Sequence, residues 1–352
     1  MKRRDFLKLA GSTALASPFL GAAPVFAQDA SSISMMTWGG LWGSSMAKRV
    51  GEPFTAKTGV SVVQDTGSSP VERITKLKIS AGDQMYDLVQ LHDGVVPLAE
   101  AQGVLETLDP ASPRLSNLAA VPDRFKSDGW VAMIYSALGI IYNPDMVKTP
   151  PTSFADLWNE EYAGRIVLPD INHSIGPYIV PIGALAAGKD LKDADAGFEK
   201  LRELAALDPI WARDTDSIMG ALTSGEAAIG LLYKSQTYTV REKGAKAEWV
   251  FPKEGAIAYM SGTSIAKGSK HLEAAETYVN MTIDPDIQGW VAEVYNYAPT
   301  NPQALAKLSP ELQERVQFTP EQNDRIIALD QDYMSQNRAD WTDRWNRIIA
   351  GG

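Results

Sequence analysis

None of the 352 residues is a cysteine, yet the chain opens like one destined for export, and together these facts restrict how it can fold. Met1-Lys2-Arg3-Arg4-Asp5-Phe6-Leu7-Lys8 sets four positive charges, two of them adjacent arginines, before an apolar stretch from Leu9 to about Phe26. Gly, Ala, Ser and Pro interrupt that stretch, and Val25-Phe26-Ala27 presents slim side chains at the positions a signal peptidase reads. Residues 1–27 therefore read as a cleaved secretory signal rather than a spanning helix. The Arg-Arg-x-Phe-Leu-Lys core has the pattern of twin-arginine signals, which export folded proteins; a Sec signal with a chance arginine pair is the alternative. The mature chain then starts at Gln28, in the periplasm. With no disulfide available there, the fold must rest on its hydrophobic core alone. An N-terminal lipid also needs a cysteine at the cleavage point, so no direct membrane anchor is expected.

Removing 27 of 352 residues leaves 325, more than one core usually covers, so two domains are expected. The precursor charge of −10 becomes −13 once Lys2, Arg3, Arg4, Lys8 and Asp5 are gone. Such acidity argues against nucleic acid and against anionic lipid surfaces as partners. Short strands alternate with helices along the first half. Ile33–Thr37, Val60–Val63 and Tyr86–Leu91 read as strands. Ser44–Lys57 and Ser69–Ala81 read as helices, and Asp93 stands where it would cap a helix over Val95–Ala101. A second series follows: strands at 165–168 and 228–233, and helices at 154–158, 175–187, 194–207 and 217–224. Leu138–Tyr142 before a Pro150-Pro151 break, with 248–252 and 256–266, reads as strands passing between two lobes. Helices are expected at 271–281, 286–294 and through the tail from 321 to 349. The fold class expected is α/β with two lobes, each a mixed, mostly parallel sheet flanked by helices, and with hinge strands between them. The expected division is residues 28–140 and 263–303 in the first lobe, 141–262 in the second, and C-terminal helices over 304–352 packing on both. Strands that end facing a shared cleft put the ligand beyond their carboxyl ends.

Several stretches carry a resemblance. They are Phe54-Thr55-Ala56-Lys57-Thr58-Gly59-Val60-Ser61-Val62, Tyr86-Asp87-Leu88-Val89, the run from Ser153 to Gly164 (SFADLWNEEYAG), Gly225-Glu226-Ala227-Ala228-Ile229-Gly230, and Phe251-Pro252-Lys253-Glu254-Gly255. In order and spacing they resemble the spermidine/putrescine-type solute-binding proteins of ABC importers, which have the type II periplasmic binding protein fold. The resemblance implies a hinged pair of lobes that closes on one small solute and then docks on an inner-membrane permease. It also implies aromatic side chains around the solute, at positions that match Trp38, Tyr233, Tyr259 and Tyr297. Where the family carries acids, this chain has Ser261 beside Tyr259, and Asp170 alone in the turn that ends at His173-Ser174. Lys234 stands where a neutral residue is usual. An ammonium buried without a carboxylate costs several kcal/mol, more than aromatic faces at roughly 0.5–2 kcal/mol each return. A long polyamine is therefore disfavoured. A monoamine, an amino-acid-like or opine-like solute, and an organic acid paired with Lys234 stay open.

Residue chemistry adds further candidates. Gly39, after Trp38, lets the backbone approach a ligand. His92 and Asp93 end a first-lobe strand, one as a hydrogen-bonding group and the other as a counter-ion. No cofactor, metal or catalytic residue is expected. Ser45-x-x-Lys48 and Lys57-Thr58-Gly59 match two elements of penicillin-recognising enzymes, but they would be the two ends of one helix here. Adjacent tyrosines of the kind that bind ferric iron are absent from the sequence. The expectation is a monomeric binding protein that performs no chemistry. The rival classes are an exported two-lobe enzyme and a chemosensory binding protein.

Overall fold

The structure, a computed structural model, describes residues 32–351. The expected signal and its cleavage site lie outside them. Ten strands run through one mixed sheet in the order β2-β1-β3-β9-β4-β7-β5-β6, with β8 and β10 both pairing with β4. They are β1 (Ser32–Thr37), β2 (Ser61–Thr66), β3 (Leu88–His92), β4 (Val131–Tyr142), β5 (Ile166–Pro169), β6 (Ile210–Ala212), β7 (Ile229–Tyr233), β8 (Glu248–Val250), β9 (Ile257–Ile265) and β10 (Ala298–Pro299). At one end β1 runs parallel to β2 and β3, and at the other β5 runs parallel to β6 and β7. The long strands β4 and β9 join these parallel halves and pair antiparallel to both. This is a two-lobe α/β fold.

Every residue of β4 is buried, as a strand flanked by sheet and covered on both faces requires. Its first half pairs with β9 and its second half with β7, so one strand serves both halves of the sheet. The apolar core divides near the same place. One cluster takes in Ile33 to Ala137 together with Ala256 and Tyr278; another takes in Leu138 to Tyr233 together with Trp341 and Trp345. A smaller third cluster lies under β5 and β7, around Val167 and Leu232.

Four helices matter for the site. α1 (Pro70–Ile79) starts at a complete capping box, Ser69 accepting from the Glu72 N–H while the Glu72 carboxylate accepts from the Ser69 N–H. α2 (Ile179–Ala186) and α3 (Ala194–Ala205) pack against each other in the second lobe. α4 (Gln331–Ala350) covers only the later part of the expected tail, and it is separated from the short helix Pro320–Asn323 by an extended segment in which Ile327 bridges to Ile257. The sequence expectation of one helical tail from 321 is corrected at this break. Lys234–Glu242 is also a helix, which the sequence analysis left unassigned. No helix among the described residues is long and apolar enough to cross a membrane.

Candidate functional site

A cavity of about 610 Å³ opens where β1, β3 and β5 end, and its walls come from three parts of the chain. Trp38, Ser69 and His92 belong to the first half of the sheet and its helices. Asn172, His173 and Tyr178 belong to the second. Gln331, Asp332, Ser335 and Arg338 come from α4, at the i, i+1, i+4, i+7 spacing of one helix face. α4 is fixed to the second lobe by Trp341 and Trp345, both 1% exposed. Its first turn reaches the first lobe: a Cβ on Gly94 would lie 2.3 Å from the Gln331 side chain, so only glycine leaves room there. Gln331 Nε2 also donates to the Tyr178 hydroxyl, 3.0 Å away. In grooves elsewhere Arg315 is paired with Glu311, Arg202 with Glu199 and Arg344 with Asp195.

The floor is set by one buried cation. Arg73 is 1% exposed, and its three nitrogens donate to backbone carbonyls: Nε to Ser68 at 3.0 Å, Nη1 to Gln90 at 2.7 Å and Nη2 to Thr37 at 2.8 Å. It thus ties the chain before α1 to β1 and β3. Burial pulls its pKa down to about 10, so it stays charged. Its guanidinium lies 4.2 Å from the centre of the Trp38 ring. The indole is fixed further by Nε1 donating to the Ser261 hydroxyl at 3.2 Å. One face of Trp38 is therefore taken by a cation. A second cation on the free face would stand roughly 8 Å from Arg73, a repulsion of about 2 kcal/mol at an effective dielectric constant of 20. That cancels the cation–π gain of roughly 0.5–2 kcal/mol. A neutral or anionic flat group meets no such opposition.

His92 lines the cavity and Asp93 follows it. Both keep some accessible surface, yet both lie deep in the molecule, where water screens little. Burial, then the nearby Arg73, pushes the His92 pKa down to about 4, so its imidazole is neutral at neutral pH. Burial lifts Asp93 to about 6, against the pull of backbone N–H groups. The expected helix cap is corrected here: Asp93 accepts from the Met260 N–H at 3.0 Å, tying the end of β3 to β9. Its charge is felt by Tyr135, Tyr178, Tyr233 and Tyr259.

The other expected residues spread out behind this floor. Tyr233 and Tyr259 stack at 4.6 Å, and Tyr259 and Tyr297 at 6.0 Å, in a row of neutral phenols beside Tyr178. They pack against one another rather than forming the cavity wall. His173 contributes its ring to the wall, but its nitrogens are engaged. Nδ1 accepts from the Ile175 N–H at 3.1 Å, and Nε2 is 3.2 Å from the Thr215 hydroxyl. It holds the turn after β5. Asp170 does the same, one oxygen accepting from the Asn172 backbone at 2.9 Å and side chain at 2.8 Å. Gly176 completes that turn, since a Cβ there would run into the Asp170 carbonyl at 1.9 Å. Gly39 is exposed beside Trp38. Lys234 points elsewhere: its ammonium donates to the Gln317 carbonyl and lies over the Phe318 ring at 4.7 Å. Pairing of an organic acid with Lys234 is thereby corrected.

Sequence reasoning missed Tyr178, Gln331, Asp332, Ser335 and Arg338. The spacing on α4 was readable, but polar residues facing a cleft and polar residues facing bulk water share one pattern. Among the described residues no three His, Asp or Glu side chains are placed to hold a metal.

Residues 50–320 match the family described as bacterial extracellular solute-binding protein. The spermidine/putrescine-binding periplasmic protein of Escherichia coli K12 is 29% identical over 270 residues, covering 74% of this chain and 76% of that one. Among solved structures, an ABC transporter from Clostridium perfringens superposes with a TM-score of 0.72 at 25% identity, over 90% of this chain and 99% of that one. MotA from A. tumefaciens B6, solved with glucopine, gives a TM-score of 0.72 at 23% identity, over 90% of this chain and 99% of that one, and shares the fold.

Proposed function

The chain belongs to the bacterial extracellular solute-binding family, and from that premise we propose that it is the substrate-binding protein of an ABC importer, holding one small organic solute in the cavity between its lobes and delivering it to an inner-membrane permease. The observation that carries this reading is the origin of the cavity walls: both ends of the sheet and α4 each supply part. A solute in contact with all three is better bound when the lobes approach, so binding shifts the population toward a closed form that a permease can recognise. The protein performs no chemistry in this account. The solute is an amine, an amino acid or an opine, in keeping with what the relatives are named for.

Residues 1–27 act as a twin-arginine-type signal, and the mature protein is a free periplasmic monomer. The lobe boundaries lie near residues 140 and 262, and the change of core cluster between Ala137 and Leu138 supports the first of them. Ligand-induced stabilisation tests the binding reading. A solute present at 100 times its dissociation constant adds about 2.7 kcal/mol to apparent stability, which a thermal melt of the mature chain resolves. The expected result is a clear rise in melting temperature with a narrow set of small solutes. No rise across amines, amino acids, opines and carboxylates would count against it.

A further inference from the structure

We propose that the solute bears a carboxylate, that the Arg338 guanidinium receives it, and that the cleft selects a zwitterion of the amino-acid type over diamines and polyamines. This rests on reading the cavity as the solute site.

Arg338 lies in the cavity wall, half-buried, on the cleft face of α4. One of its N–H groups, on Nη2, donates to the Ile171 carbonyl at 2.8 Å. It makes no ion pair with any acid among the described residues, and the nearby Asp170 carboxylate is engaged with Asn172. The remaining donors of its planar fork are left for the cavity, in the geometry that suits a carboxylate. The bond to Ile171 and the anchoring of α4 by Trp341 and Trp345 fix the fork in place before any solute arrives.

Charge matching narrows the choice. The cavity wall carries one cation, Arg338, and one acid, Asp332, with His92 and His173 neutral; Arg73 and Asp93 lie behind it. One cation and one acid in the wall suit a solute that carries both charges. A diamine brings two positive charges to a site whose aromatic platform, Trp38, already bears Arg73 on one face. In a zwitterion the carboxylate goes to Arg338 and the ammonium to Asp332, both on the cleft face of α4. Such a solute joins the lobes with its charged ends on α4 and its chain against Trp38 and His92 of the first lobe.

The matched pair 4-aminobutyrate and 1,4-diaminobutane tests this by calorimetry on the mature chain, within a panel of α-amino acids, opines and spermidine. The tightest binder is expected to carry a carboxylate, and 4-aminobutyrate to bind better than 1,4-diaminobutane. Arg338→Gln should weaken the best carboxylate ligand at least tenfold without weakening 1,4-diaminobutane. Arg338→Glu should reverse the preference within the pair, a gain that misfolding cannot produce. A diamine or polyamine as the tightest ligand of the wild-type chain overturns the inference and leaves the binding function standing. So does a carboxylate ligand indifferent to Arg338→Gln. Binding of nothing in the panel overturns both.

Discussion

Arg73 shows how one side chain can decide what a pocket tolerates. It enters as a helix residue at a core position, charged and with no acid in ion-pair contact among the described residues, and it satisfies three backbone carbonyls, of Thr37 in β1, Gln90 in β3 and Ser68 before α1. Arg73→Lys keeps the charge but loses the fork, leaving carbonyls unpaired at about 1–3 kcal/mol each. Urea denaturation should show a loss of at least 2 kcal/mol. His92 and Asp93 make a second prediction, on pH. The His92 pKa falls from 6.5 to about 4 on folding, so His92 stabilises the fold increasingly as pH rises through that window. Asp93 rises from 3.8 to about 6, so the fold binds its proton more tightly and Asp93 costs stability as pH rises through nearly the same window. Each effect is about 3 kcal/mol and the two nearly cancel. Neutral phenols (Tyr135, Tyr178, Tyr233 and Tyr259) and the backbone N–H groups of Met260, Asp93 and Gly94 face Asp93, while Arg73 faces His92. In Asp93→Asn, therefore, stability should climb from pH 4 to 6.5. In His92→Asn it should fall from pH 4 to 6. Denaturation at several pH values checks both, and flat curves in both variants would contradict the burial argument.

Among the elements, α4 joins structure to site. Its far half is core: Trp341 packs edge-on to Phe198 at 6.2 Å, and Trp345 to Trp211 at 4.8 Å. Trp345→Ala should cost about 3–5 kcal/mol in chemical denaturation. Its first turn works at the cleft, where Gln331 fills the space that Gly94 leaves. Gly94→Ala should displace Gln331 and weaken solute binding, and adding Gln331→Ala should recover part of the loss; calorimetry distinguishes the two. Much of this architecture was legible beforehand. The strand at Ile33–Thr37, the Ser69-Pro70 helix start and the turn after Leu168 follow from period and capping, which act locally. β4 was read only over Leu138–Tyr142, because Val131–Ala137 lacks alternation when both of its faces are buried. The tyrosines and Trp38 were found at strand ends, but whether they wall the cavity or stack behind it depends on packing across distant strands. Arg338 was invisible because its partner surface is 167 residues away, at Ile171.

At the scale of the molecule, β4 and β9 carry one sheet through both lobes while the core divides around them. Bending at two strands leaves each core intact, so closure costs little packing and a solute of modest affinity can drive it. The lack of native cysteine permits a direct test. Thr75→Cys on α1 and Ser217→Cys beyond β6 are both exposed and lie on opposite lobes. A spin label on each reports the distance across the cleft by double electron–electron resonance. The account predicts that the tightest solute shortens and narrows that distance distribution. Binding confirmed by calorimetry with an unchanged distribution would contradict it.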